Sequence, residues 1–85
     1  MFYVYLLESI TTDNDYYLGS TTDLRRRLKE HNSDRGCITT KNKKWKLIYY
    51  EAYPTLELAR QREKILKRNR GSKRALYNRL GIKFE

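Results

Sequence analysis

Two short apolar segments decide the fold of this chain: residues 2–7 read Phe-Tyr-Val-Tyr-Leu-Leu, and residues 16–19 read Tyr-Tyr-Leu-Gly. Between them, residues 11–15 form the turn cluster Thr-Thr-Asp-Asn-Asp. Aromatic and aliphatic residues in such short runs favour strands over helices. The pattern therefore predicts a β-hairpin, in which alternation places Tyr3 and Tyr5 on the same face.

A helix pattern follows the hairpin. Its apolar stripe consists of Leu24, Leu28 and His31, at positions i, i+4 and i+7. This spacing predicts an amphipathic helix over residues 23–32. The hydroxyls of Thr21 and Thr22 are candidate N-caps, and Asp23 then supplies an acid for the first turn. The polar, basic residues 33–44 that come next predict a loop.

The second half of the chain predicts one more strand and two helices. Residues 45–53 are rich in strand-forming side chains. Pro54-Thr55 is expected to cap a helix over residues 56–69 that ends at Gly71, and Ser72 to cap a short helix ending near residue 81. The predicted fold is α+β, a single domain over residues 1–85. Its small three-stranded antiparallel sheet is flanked by helices in the order β-β-α-β-α-α.

Charge is distributed unevenly along the 85 residues. The chain carries a net charge of +9, from 19 Lys and Arg against 10 Asp and Glu. Residues 1–24 hold four acidic side chains and no basic one, so every basic residue lies in 25–85. This asymmetry indicates a polyanionic partner, most often a nucleic acid, with a merely solvated basic surface as the alternative.

Several classes of protein are excluded by composition. One cysteine, Cys37, and one histidine, His31, cannot build a zinc site or an internal disulfide. A single free thiol fits a reducing compartment, so we expect a cytoplasmic protein. Residues 2–7 lack a preceding basic region and are too short to span a bilayer, so we expect neither a signal peptide nor a membrane segment.

Arg27 is the first candidate for chemistry. On the predicted helix it lies one turn from Leu24 and one turn from His31, at the border of the buried stripe. From there it could bind a phosphate bidentately beside the tyrosine-bearing sheet face. The alternative is an exposed arginine that pairs with a surface acid.

Glu63 is the second candidate. Residues 60–83 contain ten basic side chains and one acidic side chain, Glu63, which shares a helical arc with Leu56, Ala59 and Leu66. It could hold a divalent cation next to a phosphate, or simply pair with Lys67 at i+4. No Asp, Glu and His cluster suits two metal ions. Any metal is therefore expected to be single, oxygen-bound and largely hydrated, as Mg²⁺ prefers.

Taken together, these positions resemble the GIY-YIG nuclease domain. The matching elements are Tyr3-Val4-Tyr5, Tyr17-Leu18-Gly19, Arg27 with His31, and Ala59 followed four residues later by Glu63, with Lys67. Each short motif is weak alone, but their order and spacing make a specific joint match over residues 2–67. The chain is similar to small stand-alone bacterial members related to the nuclease domain of the excision-repair incision subunit.

The resemblance implies metal-dependent hydrolysis of phosphodiester bonds in DNA by a one-metal mechanism, on structured or single-stranded substrate with low sequence specificity. It implies catalytic roles for Tyr5, Tyr17, Arg27, His31 and Glu63. Glu63 would bind Mg²⁺ or Mn²⁺, and either Tyr17 or His31 would be the general base. We expect the nucleic acid, DNA or alternatively RNA, to contact the basic residues Arg26, Lys43, Lys44, Arg60, Lys64, Lys67 and Arg68.

The chain departs from the family pattern in places. The Gly of the first half-motif is Tyr3, and Val4 and Leu18 replace Ile. The Lys that some members carry after the second half-motif is Ser20, and no residue matches a C-terminal Asn of the repair enzymes. These departures leave open a catalytically weak or inactive nucleic-acid-binding module, and a nuclease subunit that needs a partner protein. We expect a monomer or weak dimer without membrane association.

Overall fold

Three antiparallel strands form the centre of the computed structural model, which describes residues 1–33 and 44–82. The strands are β1 (Phe2–Ser9), β2 (Tyr16–Thr21) and β3 (Trp45–Tyr53). Their order in the sheet is β2-β1-β3, so the first strand is central and the second is an edge strand. The predicted hairpin, the antiparallel sheet and the β-β-α-β-α-α order are confirmed. Positions 34–43 of the predicted loop, including Cys37 and Lys43, lie outside the described residues.

The helices are α1 (Leu24–His31), α2 (Leu56–Arg68) and α3 (Arg70–Arg79). Thr55 caps α2 as predicted, because its side chain accepts a hydrogen bond from the Leu58 amide. The predicted capping of α1 is wrong: Asp23 is itself the N-cap, and its carboxylate accepts from the Arg26 amide at 3.0 Å. A carboxylate at this position satisfies an amide that has no partner within the helix.

The boundary between α2 and α3 also differs from the prediction. Asn69, rather than Gly71, ends α2, and its side chain rather than that of Ser72 caps α3. The Asn69 side-chain oxygen accepts from the Ser72 amide at 3.0 Å. One residue, Asn69, therefore both ends α2 and caps α3, two roles that the sequence assigned to Gly71 and Ser72.

The sheet has a hydrophobic core on each face. On one face, Val4 and Leu6 pack with buried residues of α2 and α3, namely Ala59, Leu66, Leu76 and Tyr77. On the other face, Tyr5, Leu7 and Trp45 form a second buried cluster, packed against Leu24 and Leu28 of α1. We call the second face the tyrosine face.

A β-bulge in β3 sorts its side chains between the two faces. Leu6 pairs with Tyr49 but Leu7 pairs with Leu47, so Ile48 is an extra residue in the ladder. As a result Leu47 packs on the tyrosine face, while Tyr49 packs with the α2–α3 core. No helix within the described part of the chain is long and apolar enough to cross a membrane.

Candidate active site

Tyr5 and His31 are joined by a buried hydrogen bond. The Tyr5 hydroxyl lies 2.8 Å from His31 Nε2, and the two residues are 2% and 0% exposed. Burial, reinforced by the positive charge of Arg27, lowers the pKa of His31 to about 4, against a smaller opposing effect of Glu30. His31 is therefore a neutral imidazole at neutral pH.

Gly19 makes the position of the Tyr5 ring possible. It lies opposite Tyr5 in the β1–β2 ladder and is itself buried. A Cβ built on Gly19 would lie 2.7 Å from the Tyr5 oxygen and 3.0 Å from Cε2 of Tyr17. Such contacts are too short for carbon, so only a residue without a side chain fits beneath these two rings.

Tyr17 packs beside Tyr5 and His31, and we call these three rings the tyrosine cluster. Its ring centroid lies 4.7 Å from that of His31 and 6.2 Å from that of Tyr5. Unlike those two residues, Tyr17 is only partly buried. It is the member of the cluster that solvent can reach on the edge strand.

Arg27 joins this cluster from α1. Its Nη1 donates to Glu30 Oε1 at 2.9 Å, and its side chain is 31% exposed. The hydrogen bond to Glu30 raises the pKa of Arg27, as do its hydrogen bond to Tyr5 and the nearby Tyr17. Arg27 therefore forms the ion pair with a surface acid that the sequence offered as one alternative, and it does so beside the tyrosine face; binding of a phosphate stays a prediction.

Glu63 lies at the rim of the other core. Lys67 Nζ is 2.7 Å from Glu63 Oε2, the i+4 pair that the sequence left open. Burial tends to raise the pKa of Glu63, but hydrogen bonds from Lys67 and Ser20 outweigh it and lower that pKa below the usual range. The carboxylate is therefore ionised at neutral pH.

The structure brings Tyr5, Tyr17, Arg27 and His31 together on the tyrosine face. It places Glu63 on the opposite face of the sheet, beyond the edge strand β2. Ser20, which contacts Glu63, pairs with Val4 of the α2–α3 core. Since neighbouring residues of a strand face opposite ways, Ser20 lies on the face opposite Gly19 and Tyr5. The edge strand β2 thus separates the carboxylate from the tyrosine cluster.

The donor set near Glu63 suits a hard, hydrated cation. Within residues 1–33 and 44–82, no three His, Cys, Asp or Glu side chains are grouped so that they could hold a metal. An ionised carboxylate beside a hydroxyl oxygen matches Mg²⁺ or Mn²⁺, which bind through one or two carboxylates and keep most of their waters. Glu63 is the residue that could hold such an ion.

The basic residues expected to contact nucleic acid are divided between the two sides of the molecule. Arg26 extends from α1 and is 62% exposed on its side chain, 4.0 Å from Glu30. Lys44 is exposed and its ammonium donates to the Asn32 carbonyl at 3.1 Å. The predicted contacts on α2 are Arg60, Lys64, Lys67 and Arg68, all exposed. Lys43 lies outside the described residues.

One polar network was missed by the sequence reasoning. The Glu51 carboxylate accepts from both Nε and Nη2 of Arg62, at 2.9 and 3.1 Å, and also from the hydroxyls of Tyr49 and Tyr53. Arg79 of α3 donates in turn to the Tyr49 oxygen at 3.3 Å. Alternation along residues 49–53 was the available signal, because it places this acid between two tyrosines on one face.

Comparison with known proteins agrees with the geometry. The sequence model of one family, described as the GIY-YIG catalytic domain, matches residues 1–78. The chain belongs to the GIY-YIG catalytic domain family. A UPF0213 protein of Streptococcus pneumoniae serotype 4 is 44% identical over 69 residues, which cover 80% of this chain and 68% of the relative. A UPF0213 protein of Streptococcus pyogenes serotype M3 is 36% identical over 69 residues, covering 80% and 73%.

A solved structure has a fold similar to that of this chain. The solution NMR structure of a UPF0213 protein from Bacillus halodurans matches with a TM-score of 0.53 and 34% identity. The match covers 92% of this chain and 84% of that one. The resemblance read from the half-motifs at Tyr5 and Tyr17 is therefore confirmed at the level of the family.

Proposed function

We propose that this chain is a metal-dependent endonuclease that hydrolyses phosphodiester bonds in DNA with low sequence specificity. The observation that carries the proposal is the convergence of Tyr5, Tyr17 and Arg27 around a neutral, buried His31. Membership of the GIY-YIG family supports the reaction class. The basic second half of the chain supports a polyanionic substrate.

Arg27 is proposed to bind the scissile phosphate. A guanidinium has five N–H donors, so the hydrogen bond to Glu30 leaves donors for phosphate oxygens. Its positive charge would stabilise the additional negative charge that develops on the pentacovalent phosphate. Tyr5 is proposed as a positioning residue. Its hydroxyl donates a hydrogen bond to His31 Nε2 and accepts one from Arg27, and the second of these holds the guanidinium in place.

Tyr17 is proposed as the general base. His31 is completely buried and cannot contact an attacking water, whereas Tyr17 is partly exposed. The charge of Arg27 favours the phenolate form of a neighbouring tyrosine. In the reaction, the water oxygen forms a bond to phosphorus and its proton passes to the Tyr17 oxygen. The bond from phosphorus to the leaving oxygen breaks, and solvent protonates that oxygen.

Glu63 is proposed to hold Mg²⁺ or Mn²⁺, which would supply positive charge to stabilise the negative charge that develops during cleavage. A DNA strand that crosses the β2 edge would have the tyrosine cluster on one side and Glu63 on the other. Binding by this carboxylate requires that Lys67 release it, since the two are 2.7 Å apart.

The proposal is tested with plasmid, branched and single-stranded DNA in Mg²⁺, Mn²⁺ or EDTA. Tyr17→Phe and Glu63→Gln are each expected to reduce the cleavage rate by about 100-fold or more. The matched controls are Tyr16→Phe, the neighbouring tyrosine on the opposite face, and Glu57→Gln, an exposed acid of the same helix; both are expected to retain cleavage. Cleavage that survives Tyr17→Phe and Glu63→Gln would refute these assignments.

A second candidate function is a nucleic-acid-binding module that is catalytically weak or inactive. It is favoured by the two ion pairs, Arg27 with Glu30 and Glu63 with Lys67, which occupy the groups that catalysis needs. This function predicts binding without turnover on every substrate. With about 5–8 phosphate contacts, the logarithm of affinity would fall with the logarithm of salt at a slope of about −4 to −7.

A further inference from the structure

The tyrosine face continues beyond the candidate active site. Helix α1 covers the end of this face that carries Leu7 and Trp45. At the other end lie Tyr3 and Tyr50, with Tyr50 directly opposite Tyr5 in the β1–β3 ladder. Their rings meet edge to face, with centroids 5.9 Å apart and planes at 72°.

This aromatic pair is open to solvent. Tyr50 is 53% exposed, although it lies in the middle of a strand, and Tyr3 is partly exposed. Ala52, which faces Tyr3 across the ladder, is also exposed, so no large side chain stands beside the pair at that position. An exposed ring paired with a second, partly exposed ring is available to contact a flat aromatic ligand.

The small area of this pair, together with basic residues elsewhere on the same face, favours a nucleobase over a protein partner. Two rings provide far less area than the roughly 800 Å² per partner of a stable protein interface. Their area does match that of a single base, and any of the bases can stack on an aromatic side chain. Arg26 and Arg27 lie on α1, the helix that packs on this same face, and both are at least partly exposed.

We propose that Tyr3 and Tyr50 form a stacking subsite for an unpaired nucleobase next to the phosphodiester bond bound at Arg27 and Tyr17. This inference rests on the proposed function and names its substrate class: DNA with unpaired nucleotides at the cleavage site. A paired base is stacked between its neighbours and cannot offer its face to the rings. The subsite therefore selects single-stranded, flapped or gapped DNA without reading sequence.

The test measures binding by fluorescence anisotropy in EDTA, so that cleavage does not interfere. The probes are a ten-nucleotide oligothymidine and a blunt DNA duplex. Tyr50→Leu is expected to weaken binding to oligothymidine by about 5- to 100-fold, the effect of losing one stacked base. Tyr50→Phe, which keeps the ring, is expected to bind oligothymidine as the wild type does. Both variants are expected to bind the duplex normally.

Leu58→Ala on α2 is the matched control, because it shortens an exposed apolar side chain away from the tyrosine face. The slope of affinity against salt is expected to stay unchanged in Tyr50→Leu, since no phosphate contact is removed. Equal weakening on both probes, or full affinity of Tyr50→Leu for oligothymidine, would overturn the subsite.

A second measurement uses the wild-type protein, so it does not depend on the folding of a variant. An oligonucleotide containing 5-iodouracil is irradiated in the complex, and the cross-linked peptide is identified by mass spectrometry. Cross-links at Tyr3 or Tyr50 support the subsite, and cross-links confined to other residues contradict it. If the binding and cross-linking measurements both support the subsite but the wild type cleaves no DNA with Mg²⁺ or Mn²⁺, the proposed nuclease function is refuted and the subsite is not.

Discussion

The ring of Tyr5 lies directly over Gly19, where a Cβ would approach the Tyr5 oxygen to 2.7 Å and its Cζ to 2.9 Å. This close approach lets the Tyr5 hydroxyl lie within 2.8 Å of His31 Nε2 at the end of α1. The absence of a side chain at Gly19 therefore allows the rings of Tyr5 and Tyr17 to lie where they do.

Replacing Gly19 with alanine is expected to disturb this cluster. The added methyl group must displace the buried ring of Tyr5 as well as that of Tyr17, and such overpacking costs about 1–3 kcal/mol of unfolding free energy. Urea denaturation measures the loss. Thr22→Ala, at an exposed position just beyond β2, is the control and is expected to stay within about 0.5 kcal/mol of the wild type. Equal stability of Gly19→Ala and wild type would contradict the close contact.

Stability is expected to fall in mild acid because of His31. Its pKa in the folded chain is about 4, below the 6.5 of an unperturbed histidine, so the unfolded chain binds the proton more readily. The contribution of neutral His31 to the free energy of unfolding is complete above about pH 6.5. It decreases as the pH falls, and about 3 kcal/mol is lost near pH 4.

Denaturation of wild type and His31→Gln between pH 7 and pH 4 isolates this effect. Carboxylates with lowered pKa values, such as Glu51 and Glu63, are present in both proteins and cancel in the difference. The variant is expected to be less stable at pH 7 and to lose less stability on acidification. Parallel curves for the two proteins would show that His31 is not the titrating group.

The Glu51–Arg62 ion pair is expected to anchor α2 to β3. Its geometry is bidentate and Glu51 is 14% exposed on its side chain, so removing the cation leaves a poorly solvated carboxylate. Because Arg62 remains 30% exposed, we expect Arg62→Met to cost about 2 kcal/mol, less than a fully buried pair.

The matched control for this pair is Lys46→Met, which breaks the more exposed ion pair with Glu8. An exposed pair of this kind contributes less than about 1 kcal/mol. Chemical denaturation of both variants gives the comparison. A cost of Arg62→Met no larger than that of Lys46→Met would mean that the network does not anchor the helix.

Lys67 is expected to compete with a divalent ion for Glu63. A partly exposed ion pair of this kind contributes about 1 kcal/mol, which must be lost before Glu63 binds the ion. Without the pair, the Kd for Mn²⁺ is expected to be about 5-fold lower in Lys67→Ala. Electron paramagnetic resonance of free Mn²⁺ measures the affinity without DNA. Lys64→Ala removes an exposed cation from the same helix and is expected to have a smaller effect, while Glu63→Gln should abolish binding. Weaker Mn²⁺ binding in Lys67→Ala would contradict the competition.

Local patterns determined most of the fold. The alternation in residues 2–7, the turn cluster after them and the helical stripe of α1 each depend on near neighbours in the chain, so their structure can be predicted from the sequence. The family resemblance identified the residues that meet on the tyrosine face for the same reason. The hairpin places Tyr5 and Tyr17 on one face of the sheet, and Arg27 and His31 lie one turn apart on a single helix.

The tertiary structure decided what depends on contacts between distant segments. The sequence placed Glu63 at the rim of a core, but the packing of α2 against the sheet put it across the β2 edge from Tyr5 and beside Ser20. The bulge at Ile48 changed the alternation of β3, and Asn69 replaced two predicted capping residues. Residue types and spacing therefore fix which chemical groups this chain possesses. Only the packing of helices on the sheet fixes which groups are buried, paired or open to a substrate, because burial depends on segments far apart in sequence.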